Sequence, residues 1–367
     1  MTSRVCHVTT VHKQNDNRIF YKECLSLASA GYDVTLLCAG ADSTTQDGVT
    51  ITGFPKAAGR LKRMLTTSLF KALGQARIIN ADLYHLHDPE LMPLGLFLKF
   101  SGHTVVMDVH ENNSAAILSR PYLKSEVTRR IVSWVVKWGE KLALRFFDGV
   151  VTARPDISAL FLPLHPVTLR NFPVLPDLGS LEDLRIEKTK PAVIYVGGLS
   201  RIRGIPQLIN AFALTDAAEL WLLGPFQSES FEAECRALDG WRKVRYLGSV
   251  DASKVFSYIK AADVGIITFL PVPNHITTLA TKPFEYMACG LPVIMSDFLY
   301  WREFFADSAL YVDPADADAI AACVESLLSD SALCSRMRER NLYLIHNEYN
   351  WQREREKLLR LYSELLP

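Results

Sequence analysis

The stretch Val196-Gly197-Gly198-Leu199-Ser200-Arg201-Ile202-Arg203-Gly204 sits between an apolar run, Ala192–Val196, and a segment of helical periodicity starting near Ile205. A glycine turn from strand to helix lets the backbone come close to an anion. The helix start offers unpaired N–H groups, and Arg201 or Arg203 can neutralise a phosphate. The turn matches neither the P-loop nor the dinucleotide GxGxxG pattern. Taken alone, it reads equally as a plain turn with two solvated arginines.

Outward from this turn the same rhythm repeats. Downstream, strands are expected at Leu220–Leu223, Val244–Leu247, Val264–Phe269 and Val293–Ser296, with a helix near Ile205–Ala213. Upstream, strands are expected at Val5–Thr10, Val34–Cys38, Leu83–His87, Val105–Asp108, Gly149–Thr152 and Val167–Arg170. A helix with Ile19, Phe20, Cys24, Leu27 and Ala28 on one face follows the first strand, with Gly31 as its left-handed cap. Strands alternating with amphipathic helices give an α/β class with parallel sheets. The prolines at 163, 166, 173 and 176 and the charged run 181–190 mark the domain boundary. The expected organisation is a Rossmann-like domain over 1–168, a second over 169–348, and a terminal helix over 349–367 with Asn350 as its N-cap. In such sheets ligands sit beyond the carboxyl ends of the strands, and two in succession are expected to face each other across a cleft.

Composition narrows the class without naming a partner. The 367 residues are 49% hydrophobic and 22% charged, an ordinary globular balance, and basic and acidic side chains are equal at 40 each. Net charge alone names no partner, and no nucleic acid is expected. The basic excess lies in the first half and the acidic excess in the second, which points an anionic partner toward the first half. Seven cysteines, an odd number without a CxxC pair, fit reduced thiols in a cytosolic protein. The run Val5–Val11 is too short and polar for a signal peptide, and no long apolar stretch suggests a membrane span.

A second motif lies at Thr281-Lys282-Pro283-Phe284-Glu285-Tyr286-Met287-Ala288-Cys289-Gly290. Phe284, Met287 and Ala288 share a helical face, and Gly290 ends the helix. Glu285 falls in the first turn, where a carboxylate is favoured by the helix dipole alone. It can instead accept both hydroxyls of a ribose, with Lys282 nearby to pair with a diphosphate.

Together these segments resemble the retaining glycosyltransferases of the GT-B fold, family 4 (glycosyl transferases group 1). The likeness extends to Asp16-Asn17-Arg18-Ile19-Phe20-Tyr21-Lys22-Glu23 with Gly31-Tyr32-Asp33-Val34, and to His87-Asp88-Pro89-Glu90-Leu91. It includes Asp108-Val109-His110-Glu111, Asn171-Phe172-Pro173 and the closing Asn350-Trp351 helix, which in the family crosses back to the first domain. The resemblance implies a nucleotide-diphosphate sugar as donor, bound by the second domain, with no cofactor and no metal. It places Arg203, Lys282, Gly197, Gly198 and the backbone of Thr278, Leu279 and Ala280 toward the diphosphate, Glu285 on the ribose and, loosely, Gly248 in the base pocket. His110 falls near the transferred sugar. His12, Lys13, Asp16 and Arg18, in the loop after the first strand, fall on the acceptor side. Front-side substitution then depends on cations and amides that stabilise the leaving group.

Two positions depart from the family pattern. Thr277 stands where many relatives carry the first glutamate of a pair, and Gly198 where many carry an arginine; Arg201 is the candidate to reach the same phosphate. The alternatives are a nucleotide-sugar epimerase of the same fold and a non-catalytic nucleotide-sugar-binding subunit. Asp316 and Asp318 have metal-motif spacing but read as a helix start, and His85 and His87 show no further ligand cluster. A lipid-linked saccharide acceptor in surface polysaccharide biosynthesis is expected by family weight, at the cytoplasmic face of the membrane. Residues 48–81 are basic and free of acid, with Leu61, Met64, Leu65, Leu69 and Phe70 interleaved. Arg130, Lys137, Lys141 and Arg145 accompany Ile131, Trp134, Val135, Trp138 and Leu142. Both stretches suit an anionic lipid surface, unless the apolar residues are spent covering the sheet.

Overall fold

The computed structural model describes residues 2–57, 59, 70–118, 125–184 and 186–366. The chain divides into two compact units, Met1–Asn171 with Trp351–Pro367, and Phe172–Asn350.

Among the described residues, the first unit holds an eight-stranded sheet in the order β3-β4-β2-β1-β5-β6-β7-β8. Its strands are β1 (Arg4–Thr9), β2 (Asp33–Ala39), β3 (Thr44–Gln46), β4 (Val49–Phe54), β5 (Leu83–Leu86), β6 (Thr104–Val109), β7 (Gly149–Thr152) and β8 (Val167–Thr168). All pairings are parallel except β3 with β4. β1 pairs β2 on one side and β5 on the other, so the chain reverses its winding between β1 and β5. One face is covered by the segment Ile19–Ser29 and the terminal helix Trp351–Leu365, through Ile19, Phe20, Leu27, Trp351, Leu358 and Tyr362. The opposite face packs Cys6, Val8 and Leu37 against Leu94 and Leu98.

The second unit is a fully parallel six-stranded sheet, in the order β11-β10-β9-β12-β13-β14. Its strands are β9 (Ala192–Val196), β10 (Glu219–Leu223), β11 (Val244–Gly248), β12 (Val264–Ile267), β13 (Val293–Ser296) and β14 (Leu310–Val312). Near-continuous apolar strands such as Ala-Val-Ile-Tyr-Val are what burial on both faces requires. Winding reverses between β9 and β12, which places a ligand crevice at their carboxyl ends.

Several expected elements differ in extent. β12 ends at Ile267 rather than Phe269 because the chain leaves the sheet to meet the glycine turn, with Leu270 N donating to Ile202 O at 2.9 Å. β8 stops at Thr168: Leu169 O is taken by Arg18, and Arg170 N donates to Glu354 Oε2 at 3.0 Å. The side-chain amide of Asn350 also donates to Ile345 O and His346 O, at the end of the preceding helix Ser331–Asn347. Asp316 accepts from Ala319 N at 3.0 Å at the start of Ala317–Ser329, a cap and not a metal motif.

Among the described residues no helix is long and apolar enough to cross a membrane. The helix Glu126–Leu144 buries only Glu140, Ala143 and Leu144. Ile131, Trp134, Val135, Trp138 and Leu142 are exposed, between 53% and 62%. Covering the sheet therefore does not account for them. Of the earlier basic stretch, Arg60, Leu61, Lys62, Arg63, Met64, Leu65 and Leu69 lie outside the described residues.

Candidate functional site

In the second unit the carboxyl ends of three neighbouring strands carry Gly197, Gly224 and Gly248, and their backbones interlock. Gly197 N donates to Leu223 O at 2.9 Å, and Gly224 N to Gly248 O at 2.8 Å. A Cβ on Gly224 would lie 2.0 Å from Gly197 O, so a side chain there would break the stack. Gly204 is equally constrained. Its φ is +71°, and an added Cβ would meet Thr268 O at 1.9 Å. That contact holds the short turn Arg201–Arg203 against the end of β12.

The turn fixes Arg203. Its Nη1 donates to Gly198 O at 3.2 Å, and its guanidinium lies over Phe269 at 5.4 Å from the ring centroid. Arg201 is engaged differently: it pairs with Glu234 at 2.5 Å and lies over Phe231. The two arginines thus point to different partners, Arg201 to Glu234 and Phe231 and Arg203 to Gly198 and Phe269.

The second motif forms the helix Lys282–Ala288. Lys282 Nζ contacts both oxygens of Glu285, at 2.7 and 2.6 Å, so the two side chains meet as a pair. One residue on, Tyr286 is fully buried and reaches under the sheet to accept from Val196 N at 2.9 Å. This bond ties the Lys282–Glu285 turn to the strand that feeds Gly197 and Gly198. The segment between the motifs is held by its own side chains. Thr277 Oγ1 donates to Pro273 O at 2.8 Å, Thr278 Oγ1 donates to Asn274 O, and Trp301 Nε1 donates to Thr278 O at 2.7 Å. Leu279 and Ala280 are half-buried against the core.

In the first unit, polar groups gather at the carboxyl ends of β1, β5 and β6. Asp88 Oδ2 accepts from Thr10 N at 2.6 Å, Thr9 Oγ1 at 2.9 Å and Val11 N at 3.2 Å. Asp108 is fully buried and gripped by Arg18, with Nε–Oδ2 2.8 Å and Nη2–Oδ1 3.1 Å. His110 Nε2 lies 3.1 Å from Asp108 Oδ2 and is partly exposed. His12, His110, Asp88 and Asp108 line one cavity of about 360 Å³. His12 and Lys13 also line a neighbouring one, of about 560 Å³. Asp16 caps the segment behind them, accepting from Arg18 N at 2.8 Å and Ile19 N at 3.0 Å, and it holds His12 Nδ1 at 3.2 Å. Arg18 is buried beneath the loop, where it balances Asp108.

The electrostatics follow from burial and pairing. Burial would raise the Asp108 carboxyl, but the Arg18 charge and His110 hold it well below the usual range. The His87 imidazole is pushed down to about 4 by burial. His12 is raised, chiefly by its hydrogen bond to Asp16. Burial pushes the Glu23 carboxyl up, against the opposing pull of Arg18.

His85 and His87 do have ligand-type neighbours, contrary to the sequence reading. Parallel pairing of β1 with β5 sets His7 opposite His85, and Ile19–Cys24 brings in Glu23. All four are buried. The ligand atoms lie within 4.8 Å of one another, and a second group, His87, Asp108 and His110, shares one member. The set was hidden because His7 and Glu23 are separated by 15 residues, and Glu23 and His85 by 61. The roles of Asp88, the threonines at 9 and 10, and Tyr286 also escaped the sequence reading, because their partners, some backbone and some side-chain groups, are distant in sequence and no spacing announces them.

Two parallel α/β units, one with a glycine-edged switch point and the other with a polar strand-end cavity, are the architecture of GT-B transferases. Residues 180–342 match the family model Glycosyl transferases group 1, and residues 18–171 match Glycosyl transferase 4-like domain. It is 28% identical over 179 residues to a lipopolysaccharide core biosynthesis glycosyltransferase of Rhizobium meliloti, covering 48% of this chain and 49% of that one. It is 29% identical over 239 residues to the O-antigen chain mannosyltransferase B of Escherichia coli, covering 61% and 58%. The chain thus spans about half the length of these curated relatives. The Anabaena protein HepE, solved in complex with UDP, superimposes with a TM-score of 0.71 at 15% identity, covering 99% of this chain and 100% of that one.

Proposed function

We propose that the chain is a retaining, family 4 transferase that moves a hexose-like unit from a nucleotide-diphosphate sugar to a saccharide acceptor. One observation carries this reading. At the switch point of the second sheet, a glycine-lined backbone, Arg203 and the Lys282–Glu285 pair are tied into one body through Tyr286 and Val196. Glycines admit a diphosphate, Arg203 and Lys282 meet its charge, and Glu285 accepts the ribose hydroxyls. The leaving-group charge is met by these fixed cations and amides, so the transfer step needs no metal ion. UDP bound to the HepE structure supports a nucleoside diphosphate as the ligand class.

His110 is assigned to the transferred sugar, with Asp108 orienting its ring and Arg18 holding Asp108. His12 and Lys13 are assigned to the acceptor, which on the precedent of the lipopolysaccharide and O-antigen relatives is a lipid-linked surface saccharide. The exposed Trp134 and Trp138, beside Arg130, Lys137 and Arg145, support peripheral attachment to an anionic inner membrane face.

Incubation with a panel of nucleotide-sugars, with and without membrane extract, tests the reading. Label should pass from one donor to extract lipid, and Glu285→Ala should raise the donor concentration this needs. Conversion of the donor without any acceptor, or no turnover of any donor, would defeat it.

A further inference from the structure

The side chains His7, Glu23, His85 and His87 form a group that the proposed transfer does not use. All lie on the face of the first sheet that the terminal helix covers, in a layer otherwise made of Val5, Val34, Leu36, Leu83 and Val106. Glu23 Oε2 is 3.8 Å from His7 Nδ1, 3.8 Å from His87 Nε2 and 4.0 Å from His85 Nδ1, and His7 Nδ1 is 2.9 Å from His87 Nε2. Ligand atoms around a four-coordinate zinc lie about 3.3 Å apart, given bonds of roughly 2.0–2.1 Å. The observed separations bracket that value.

Two independent observations point to a cation. Both oxygens of Glu23 are buried, and among the described residues neither accepts a hydrogen bond. The charges are also unequal. Arg18 Nε lies 3.1 Å from Glu23 Oε1, but its N–H groups are directed to Asp108 and to Leu169 O. Two buried carboxyl groups thus share one guanidinium, so Glu23 is balanced only by a proton of its own or by a second cation.

We propose that His7, Glu23, His85 and His87 bind one divalent transition ion as a structural site, with zinc the best match to three imidazoles and a carboxylate. The outer partners suit this. His7 Nε2 meets Tyr362 Oη at 3.1 Å, and His87 Nδ1 faces Asp108 Oδ2 at 3.6 Å, so each ring has its far nitrogen directed at an oxygen. His85 Nδ1 now meets Tyr362 Oη at 2.9 Å, and it joins as the fourth ligand by turning from that hydroxyl. Through Tyr362 the ion fastens the terminal helix to the sheet. Through His87 it steadies Asp108 and His110. The proposal concerns the first unit alone and does not depend on the donor reading.

Full burial means that the ion enters on folding and leaves on unfolding. Protein produced with zinc supplied should keep one equivalent through dialysis against EDTA and release it to a chromogenic chelator only in denaturant. Refolding with zinc should raise the melting temperature over refolding without it. Refolding with cobalt should give the visible absorption of a four-coordinate ion, and Glu23→Gln should lose both signals. Because that variant can misfold, the wild-type metal analysis is decisive. No first-row metal in the native protein, together with equal melting with and without zinc, would overturn the proposal and leave a protonated Glu23 in its place.

Discussion

Arg18 grips Asp108 through two of its nitrogens, across 90 residues of chain, while its third nitrogen donates to Leu169 O at 2.7 Å. The guanidinium thereby joins the loop after β1 to the ends of β6 and β8.

Removing that cation leaves Asp108 buried without compensation. Arg18→Met is expected to destabilise the first unit by about 3–5 kcal/mol. Arg18→Lys keeps the charge but loses the fork, and should fall in between. Scanning calorimetry reads the first unit's transition directly, and nucleotide binding by the second unit should be unaltered. Equal melting of Arg18→Met and wild type would remove this role.

The His12–Asp16 pair sets a pH window. His12 is raised by Asp16, so its contribution is full below the ordinary histidine value of about 6.5 and is lost as pH rises through its folded value. Burial would raise Asp16, but bonds from His12 and the amides of Ile19 and Arg18 hold it well below the usual range. Its contribution is present above about pH 3.9 and is lost as pH falls through the folded value. The pair therefore stabilises most between about pH 4 and about pH 6.5. Asp16→Asn keeps an acceptor for the Arg18 and Ile19 amides but drops the charge. NMR titration should then show His12 shifted down; an unmoved His12 would contradict the assignment.

Lys282 and Glu285 are predicted to act as a unit in donor binding. Glu285→Ala should weaken UDP about 10- to 100-fold, the worth of hydrogen bonds to a charged group. Lys282→Met leaves Glu285 without its partner and should also weaken UDP, with the double variant less impaired than the two effects combined. Isothermal titration gives all three constants, and simple additivity would argue against coupling.

The proposed membrane contact rests on the exposed face of Glu126–Leu144. Replacing Trp134 and Trp138 together with serine should abolish flotation with anionic liposomes. Replacing Arg130, Lys137 and Arg145 with glutamine should remove only the preference for anionic over neutral lipid. Unchanged flotation in both variants would place the contact elsewhere.

The central strands were legible because they are buried on both faces and end in turns: Gly149–Thr152, Ala192–Val196 and Val293–Ser296 emerge from apolar runs alone. Of the edge strands, Val167–Thr168 and Val244–Gly248 were also anticipated, but two were not. Thr44–Gln46 is polar and exposed, and the three-residue Leu310–Val312 is only partly buried, so neither carries a periodic signal. At the site, Arg203 and the Lys282–Glu285 turn were visible as local motifs. The pairing of Lys282 with Glu285, the diversion of Arg201 to Glu234 and the gathering of His7, Glu23, His85 and His87 depend on chain packing. Tyr286 carried no signal of its own, because its bond to Val196 N exists only once the sheet is assembled.

The terminal helix has a consequence for the order of folding. Trp351, Leu358 and Tyr362 are each almost fully buried in the core of the sheet that begins at Arg4. During synthesis the second unit, though it starts later, has all its residues once Asn350 has emerged. The earlier unit must wait with a bare hydrophobic face until the helix behind it arrives, which makes the nascent first half the natural client of a chaperone.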